Sequence, residues 1–321
     1  MHWSSEEMPD QSGRIALVTG ANTGLGYQTT LALARKGARV VMACRDEERA
    51  KRARDGLLTA VPKAELELLL LDLASQESIR DASQAYLSRH NRLDMLINSA
   101  GIMAPPRKET RDGFELQFGV NHLGHFALTG LLLPRLLETP GSRVVTVTST
   151  AHKFARIDFD DLQSRRSYGR YRAYGRSKLA NLLFAFELNR RFAAAGSDSL
   201  SMAAHPGLAE TTLQQRTVQS SASRFERAVY TTMHYAISQS AEMGALPQLY
   251  AATAEDAEGG TLYGPEWLQT RGFPVQVRPS RAATSWEDAR RLWEISEELT
   301  GVSFGLPMPP SWLRERRRGP R

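Results

Sequence analysis

Cysteine is nearly absent. Cys44 is the only one in 321 residues, so no internal disulfide and no thiolate metal cluster can form. Long apolar runs are missing as well: the greasiest stretch, Leu66 to Leu71, is bounded by Glu65 and Asp72 and is too short to span a bilayer. The first fourteen residues carry Glu6, Glu7 and Asp10 and no continuous apolar core, so no secretory signal is expected and a cytoplasmic setting is. Acidic residues are outnumbered by basic ones, and the pI near 9.6 hints at nucleic acid. That surplus is local. Arg314, Arg316, Arg317, Arg318 and Arg321 against Glu315 supply +4 of the formal +6, which leaves the body nearly neutral. No nucleic-acid partner is expected. The tail reads as a solvated end, with a weak contact to anionic surfaces through Trp312 and Leu313 as the minor alternative.

What the chain does contain is organised around Tyr174-Gly175-Arg176-Ser177-Lys178. The segment reads as helix through about Arg191, and positions i and i+4 share a helix face, so phenol and ammonium can point into one space. A positive charge about 4 Å from a phenolate, at an effective dielectric near 20, is worth up to about 4 kcal/mol. That corresponds to roughly three pKa units, enough to bring a phenol towards working pH. Alone, such a pair is usually two exposed helical neighbours. The upstream sequence changes this.

Ile15 to Thr19 is a continuous apolar run, the mark of a strand buried on both faces. It enters Gly20-Ala21-Asn22-Thr23-Gly24-Leu25-Gly26, and a helical stretch follows to Arg35. A strand, a glycine-rich turn and a helix N-terminus form a cradle for a pyrophosphate. Strands then alternate with helices: Arg39 to Cys44, Glu65 to Asp72, Met95 to Asn98, Arg143 to Ser149, Leu200 to Ala204 and, last, Gly260 to Tyr263. Helices are expected at Glu47 to Thr59, at Ser75 to His90 with Ser75 as N-cap, and at Gly244 to Ala254. Another runs from Phe114 to Leu137, its last turns distorted by Pro134. The pattern implies one doubly wound α/β domain of Rossmann type, with a parallel sheet of seven strands and a crevice at their carboxyl ends. Residues 1–13 are expected to form an arm, 14–264 the main domain with a lid at about 208–240, and 265–321 a C-terminal extension with the basic tail.

From Arg14 to Gly264 the chain resembles the short-chain dehydrogenase/reductases. The matching pieces are Thr19-Gly20-x-x-x-Gly24-x-Gly26, Asp72-Leu73, Asn98-x-Ala100-Gly101, Asn121, Ser149, Tyr174-x-x-x-Lys178 and Pro206-Gly207. Asn121-His122-Leu123-Gly124-His125-Phe126 and Ser177-Lys178-Leu179-Ala180-Asn181 are similar to the retinol dehydrogenase-like branch, near the light-dependent protochlorophyllide reductases. The spacing of 25 residues from Ser149 to Tyr174 is usual in one branch. Ser99 stands where the family more often has a second asparagine. The resemblance implies a hydride transfer between a nicotinamide and a carbonyl or alcohol carbon. Tyr174 would then be the proton donor and acceptor, and Ser149 would polarise the oxygen. Lys178 would tune Tyr174 and bind the ribose, and Asn121 would hold a water that links Lys178 to solvent. The implied cofactor set is Gly20, Asn22, Thr23, Gly24, Leu25, Gly26, Arg45, Asp72, Leu73, Asn98, Ala100, Gly101, Tyr174, Lys178, Pro206, Gly207 and Thr211. A homo-oligomer is possible, since the family often pairs the helices of Asn121 and Tyr174, although the extension after Gly264 could cover that surface.

NADP(H) is the expected cofactor. Cys44 ends the second strand where NAD-preferring relatives carry an acid, and Arg45 follows, fit to clamp a 2′-phosphate. Asp46 as a ribose acid is the counter-reading. The substrate is expected to be a bulky apolar carbonyl or alcohol, from Ile102-Met103-Ala104-Pro105-Pro106, Phe154 and Ile157, and from Leu208, Leu213, Val218, Phe225, Val229, Tyr230, Met233 and Tyr235 in the lid. No metal is expected: His122, His125 and His205 have no spaced acidic or thiolate ligand to close a zinc site. Ser149 and His152 lack a G-x-S-x-G elbow, which weighs against a hydrolase. A non-catalytic NADP-binding regulator on the same fold is the alternative function.

Overall fold

A computed structural model describes residues 2–208 and 239–310. Thr211, most of the expected lid with Leu213 to Tyr235, and the basic tail lie outside them. Among the described residues eight strands form one sheet in the order β3-β2-β1-β4-β5-β6-β7-β8. They are β1 (Ile15–Thr19), β2 (Arg39–Cys44), β3 (Leu66–Leu70), β4 (Met95–Asn98), β5 (Arg143–Val147), β6 (Leu200–Ala204), β7 (Leu262–Trp267) and β8 (Arg271–Gln276). Neighbours from β3 to β7 pair in parallel, and β1, β2, β4 and β5 are almost wholly buried, as their apolar runs require. Chain direction across the sheet reverses between β1 and β4. That switch point opens the crevice at the carboxyl ends.

The expected seven strands are therefore corrected to eight, and Tyr263 does not end the last one. β7 runs on to Trp267 and turns through Leu268 and Gln269, both at positive φ, into β8, which pairs antiparallel with it. Gly272 and Pro274 disguise β8 in the sequence, because both weaken a strand pattern; an outer strand tolerates them.

The helices are α1 (Gly24–Arg35), α2 (Glu47–Ala60), α3 (Gln76–Arg89), α4 (Gly124–Glu138), α5 (Arg170–Ala194), α6 (Ala241–Thr253) and α7 (Trp286–Thr300). Ser75 caps α3 as expected, its side chain accepting from Ser78 N. The expected helix from Phe114 is not continuous. A short helix at Leu116–Phe118 gives way to a π-helical turn, Gly119–Leu123, before α4 begins, and Pro134 sits inside α4 without ending it. Such a turn carries one extra residue per loop and is frequent at functional sites. Here it contains Asn121. Beyond β8, α7 and the segment after it pack onto α4 and α5: Trp293 is buried between Phe126, Phe184 and Phe304, with ring centroids 5.1, 5.8 and 4.5 Å away. Gly130 leaves the space that Val302 and Phe304 fill. Among the described residues no helix is long and apolar enough to cross a membrane.

Candidate active site

A cleft of about 1060 Å³ lies along the carboxyl ends of the strands. Its floor is the turn after β1. Gly20 is at φ +68° and Gly24 at +54°. A Cβ on Gly20 would stand 3.1 Å from Ala100 Cα, and one on Gly26 would collide with the Gly20 carbonyl, so strand, turn and helix meet only as glycines. The first turn of α1 has no acidic residue, and its N-cap, Thr23, makes no side-chain capping bond. α2 is built the other way: Asp46 caps it by accepting from Arg49 N at 3.0 Å, and Glu47 and Glu48 follow. The amides and positive dipole end of α1 are thus turned to the cleft, where Asn22, Thr23, Gly24 and Leu25 form the wall. A dinucleotide pyrophosphate fits this cradle.

Beside it, Cys44 is buried, and burial pushes its thiol up to about 11, which keeps it neutral. Exposed Arg45, Arg49 and Arg52 line the same end. Arg49 and Arg52 escaped the sequence reading. They lie three apart on α2, just past Arg45, and that helical spacing was the available signal. Asp46 also lines the cleft, yet its carboxylate is engaged as the α2 cap and lies 3.4 Å from Arg49 Nε. Asp72, Leu73, Ala100, Gly101, Pro206 and Gly207 are on the wall. Asn98 is not: it is fully buried in the sheet, where its amide donates to Thr129 Oγ1 at 3.1 Å.

At the other end Ser149, Tyr174 and Lys178 share the wall. Ser149 stands just beyond β5 and caps a 3₁₀ turn, its Oγ accepting from Ala151 N at 3.3 Å. Tyr174 and Lys178 occupy the second and third turns of α5, with Lys178 Nζ 5.9 Å from the centre of the Tyr174 ring. Gly175 lets α5 approach that turn, since a Cβ there would lie 3.0 Å from the Ala151 carbonyl. Lys178 is buried and donates to the Val147 carbonyl at 3.1 Å; desolvation lowers its ammonium pKa to about 8. Asn121 is buried behind this wall. Its amide accepts from Ile102 N at 2.8 Å and donates to Ile102 O at 3.0 Å and to Ser177 Oγ at 2.9 Å. Gly101 passes so close that a Cβ would lie 3.2 Å from Asn121 Oδ1 and 3.4 Å from Lys178 Nζ. The remaining wall is largely apolar: Ile102, Met103, Pro105, Pro106, Phe154 and Tyr171, the last unforeseen.

The histidines go to separate tasks. His122 Nε2 lies 2.9 Å from Ser296 Oγ on α7, while His125 reaches Thr19. His152 Nδ1 faces the Ser149 carbonyl at 2.7 Å, not its hydroxyl, so the imidazole is no base for that serine. Among the described residues no three His, Cys, Asp or Glu side chains are grouped to hold a metal ion.

This fold and cleft define a dinucleotide-dependent oxidoreductase, and residues 14–222 match the short chain dehydrogenase family. The chain belongs to that family, in its retinol dehydrogenase-like branch, and acts on CH–OH groups with a nicotinamide dinucleotide. It is 41% identical to human retinol dehydrogenase 13 over 294 residues, which cover 90% of this chain and 85% of that one. Identity to mouse polyprenol dehydrogenase is 40% over 311 residues, covering 95% and 89%. A crystal structure of an uncharacterized protein from Mycobacterium paratuberculosis superposes with a TM-score of 0.78 at 39% identity, covering 95% of this chain and 100% of that chain.

Proposed function

We propose that the protein is an NADP(H)-dependent oxidoreductase that interconverts a bulky apolar aldehyde or ketone and its alcohol. The observation that carries this reading is one cleft with Arg45, Arg49 and Arg52 at one end and Ser149, Tyr174 and Lys178 beside a largely apolar wall at the other. The bound nicotinamide supplies the hydride in reduction and takes it in oxidation. Ser149 Oγ holds the substrate oxygen, and Tyr174 Oη gives it the proton, or removes that proton in the reverse direction. Lys178 keeps a positive charge beside the phenol and favours its ionised form. At the far end the neutral Cys44 thiol does not repel a 2′-phosphate, and Arg45, Arg49 and Arg52 offer it guanidinium donors.

The apolar wall supports a lipid-like substrate, and relatives named for retinol and polyprenol point the same way. Each methylene buried against Ile102, Met103, Pro105, Pro106 and Phe154 adds about 0.8 kcal/mol at most. kcat/KM measured with NADPH over aldehydes of increasing chain length, with retinal at the long end, should therefore climb. A flat or falling trend with size removes the apolar-substrate assignment.

A further inference from the structure

We propose that His125 is a positioning residue: a neutral imidazole, protonated on Nδ1, that ties the π-helical turn of Asn121 to the dinucleotide turn at Thr19. His125 lies in the first turn of α4, 1% exposed, with no face on the cleft wall. Its two ring nitrogens meet two elements that belong to different segments of the site. Nδ1 is 3.0 Å from the backbone carbonyl of Asn121, and Nε2 is 3.0 Å from Thr19 Oγ1.

Hydrogen counting settles the tautomer. A carbonyl oxygen only accepts, so Nδ1 must carry the hydrogen. Thr19 Oγ1 already accepts from Ser99 N and from Ala100 N, both at 2.9 Å, which fills its two lone pairs. Its own hydrogen must then point outward. The Ile97 carbonyl is 3.4 Å away and His125 Nε2 is nearer at 3.0 Å, so Nε2 is the acceptor. Both imidazole nitrogens are satisfied in this one arrangement. A second ring proton would face an oxygen with no free lone pair. Burial, with the Lys178 ammonium nearby, agrees with this in lowering the His125 pKa to about 4.

The relay runs from the Asn121 carbonyl through His125 and Thr19 to the amides of Ser99 and Ala100. At one end stands the turn whose Asn121 side chain holds the Ile102 backbone and Ser177. At the other lie Gly20 and Ala100, which form the floor of the cofactor cleft. His125 therefore sets the spacing between the strand ends that receive the dinucleotide and the helix pair that carries the chemistry. It exchanges no proton with substrate.

Three variants test this: His125→Gln, which keeps a donor and an acceptor without a titratable ring; His125→Phe, which keeps a ring without either; and Thr19→Val, which removes the hydroxyl at constant shape. Dinucleotide Kd by fluorescence titration, independent of the substrate assignment, and kcat with the best aldehyde would be read on folded protein. His125→Gln should stay within about threefold of wild type. His125→Phe and Thr19→Val should each weaken dinucleotide binding and lower kcat, together by about tenfold or more in kcat/KM, and the double variant should be no worse than the poorer single one. Should His125→Phe not fold, Thr19→Val against wild type carries the test. The proposal is overturned if His125→Gln is as impaired as His125→Phe, which would mark a titrating imidazole. It is equally overturned if the two losses add, or if Thr19→Val and His125→Phe lower only Tm with Kd and kcat unchanged.

Discussion

The two ends of the cleft are built on opposite plans. At the cationic end, three exposed arginines and a glycine turn come from one stretch, residues 20–52. At the other end, which the proposed reading makes the reacting end, Ser149, Tyr174 and Lys178, with Asn121 behind them, come from three separate segments, and the Lys178 ammonium is buried. Exposed cations recruit an anion cheaply and are screened by salt. A desolvated cation acts strongly on a neighbouring group and weakens the fold that holds it. On the proposed reading, recognition sits where charge costs little and chemistry where it costs most.

The sharpest break in that contrast is Tyr174→Phe. It should leave dinucleotide Kd within about twofold while turnover falls by about 10³-fold or more, because a positioned proton donor is lost. Near-wild-type turnover in single-turnover assays would remove Tyr174 from its proposed role.

Next comes the stability of the reacting end. The folded pKa of Lys178, about 8, lies below its ordinary 10.5, so between these values the unfolded chain binds more protons and stability rises with pH. Below pH 8 the buried ammonium weakens the apo protein by about 3 kcal/mol. Lys178→Met should therefore raise the urea midpoint at pH 7 while turnover is lost. The gain should shrink steadily from pH 8 to pH 10. A midpoint that falls on substitution would show that the ammonium is stabilising where it sits.

At the cationic end, Arg45→Ala should weaken NADPH by about tenfold to a hundredfold, the worth of a charge-assisted hydrogen bond, and leave NADH nearly untouched. Combining it with Arg52→Ala should deepen the loss and flatten the salt dependence of NADPH binding. Equal losses for both cofactors would return Asp46 to consideration as a ribose acid.

Asp46→Ala should give the smallest effect. Losing the α2 cap costs about 1 kcal/mol, read as a lower urea midpoint, with the ratio of NADPH to NADH affinity unchanged. A selective loss of NADH affinity would assign the carboxylate to the ribose instead.

Much of the frame was legible because it is local. Ile15 to Val18 is an unbroken apolar run, Gly20 and Gly24 take the positive φ that favours glycine, and Gly26 has no room for a Cβ. Ser75 announced its helix as a cap does, and Tyr174 and Lys178 share a helix face by spacing alone. β8 stayed hidden because Gly272 and Pro274 argue against a strand, and only a place at the sheet edge permits them. The π-helical turn was equally invisible: nothing in Gly119-Val120-Asn121-His122-Leu123 marks where an extra residue enters a helical turn.

The sequence by itself therefore determined the alternation of strands and helices, the dinucleotide turn and the Tyr174–Lys178 pair, since each depends on residues within one or two turns of chain. Only the tertiary structure decided that Asn98 belongs to the sheet interior, that Arg49 and Arg52 join Arg45, and that α7 packs over α4 and α5. It also decided which atoms His125 serves, because Thr19 and Asn121 lie about a hundred residues apart in the chain and one imidazole apart in space. Burial and hydrogen-bond saturation are properties of that packing, and they lower the pKa of both His125 and Lys178.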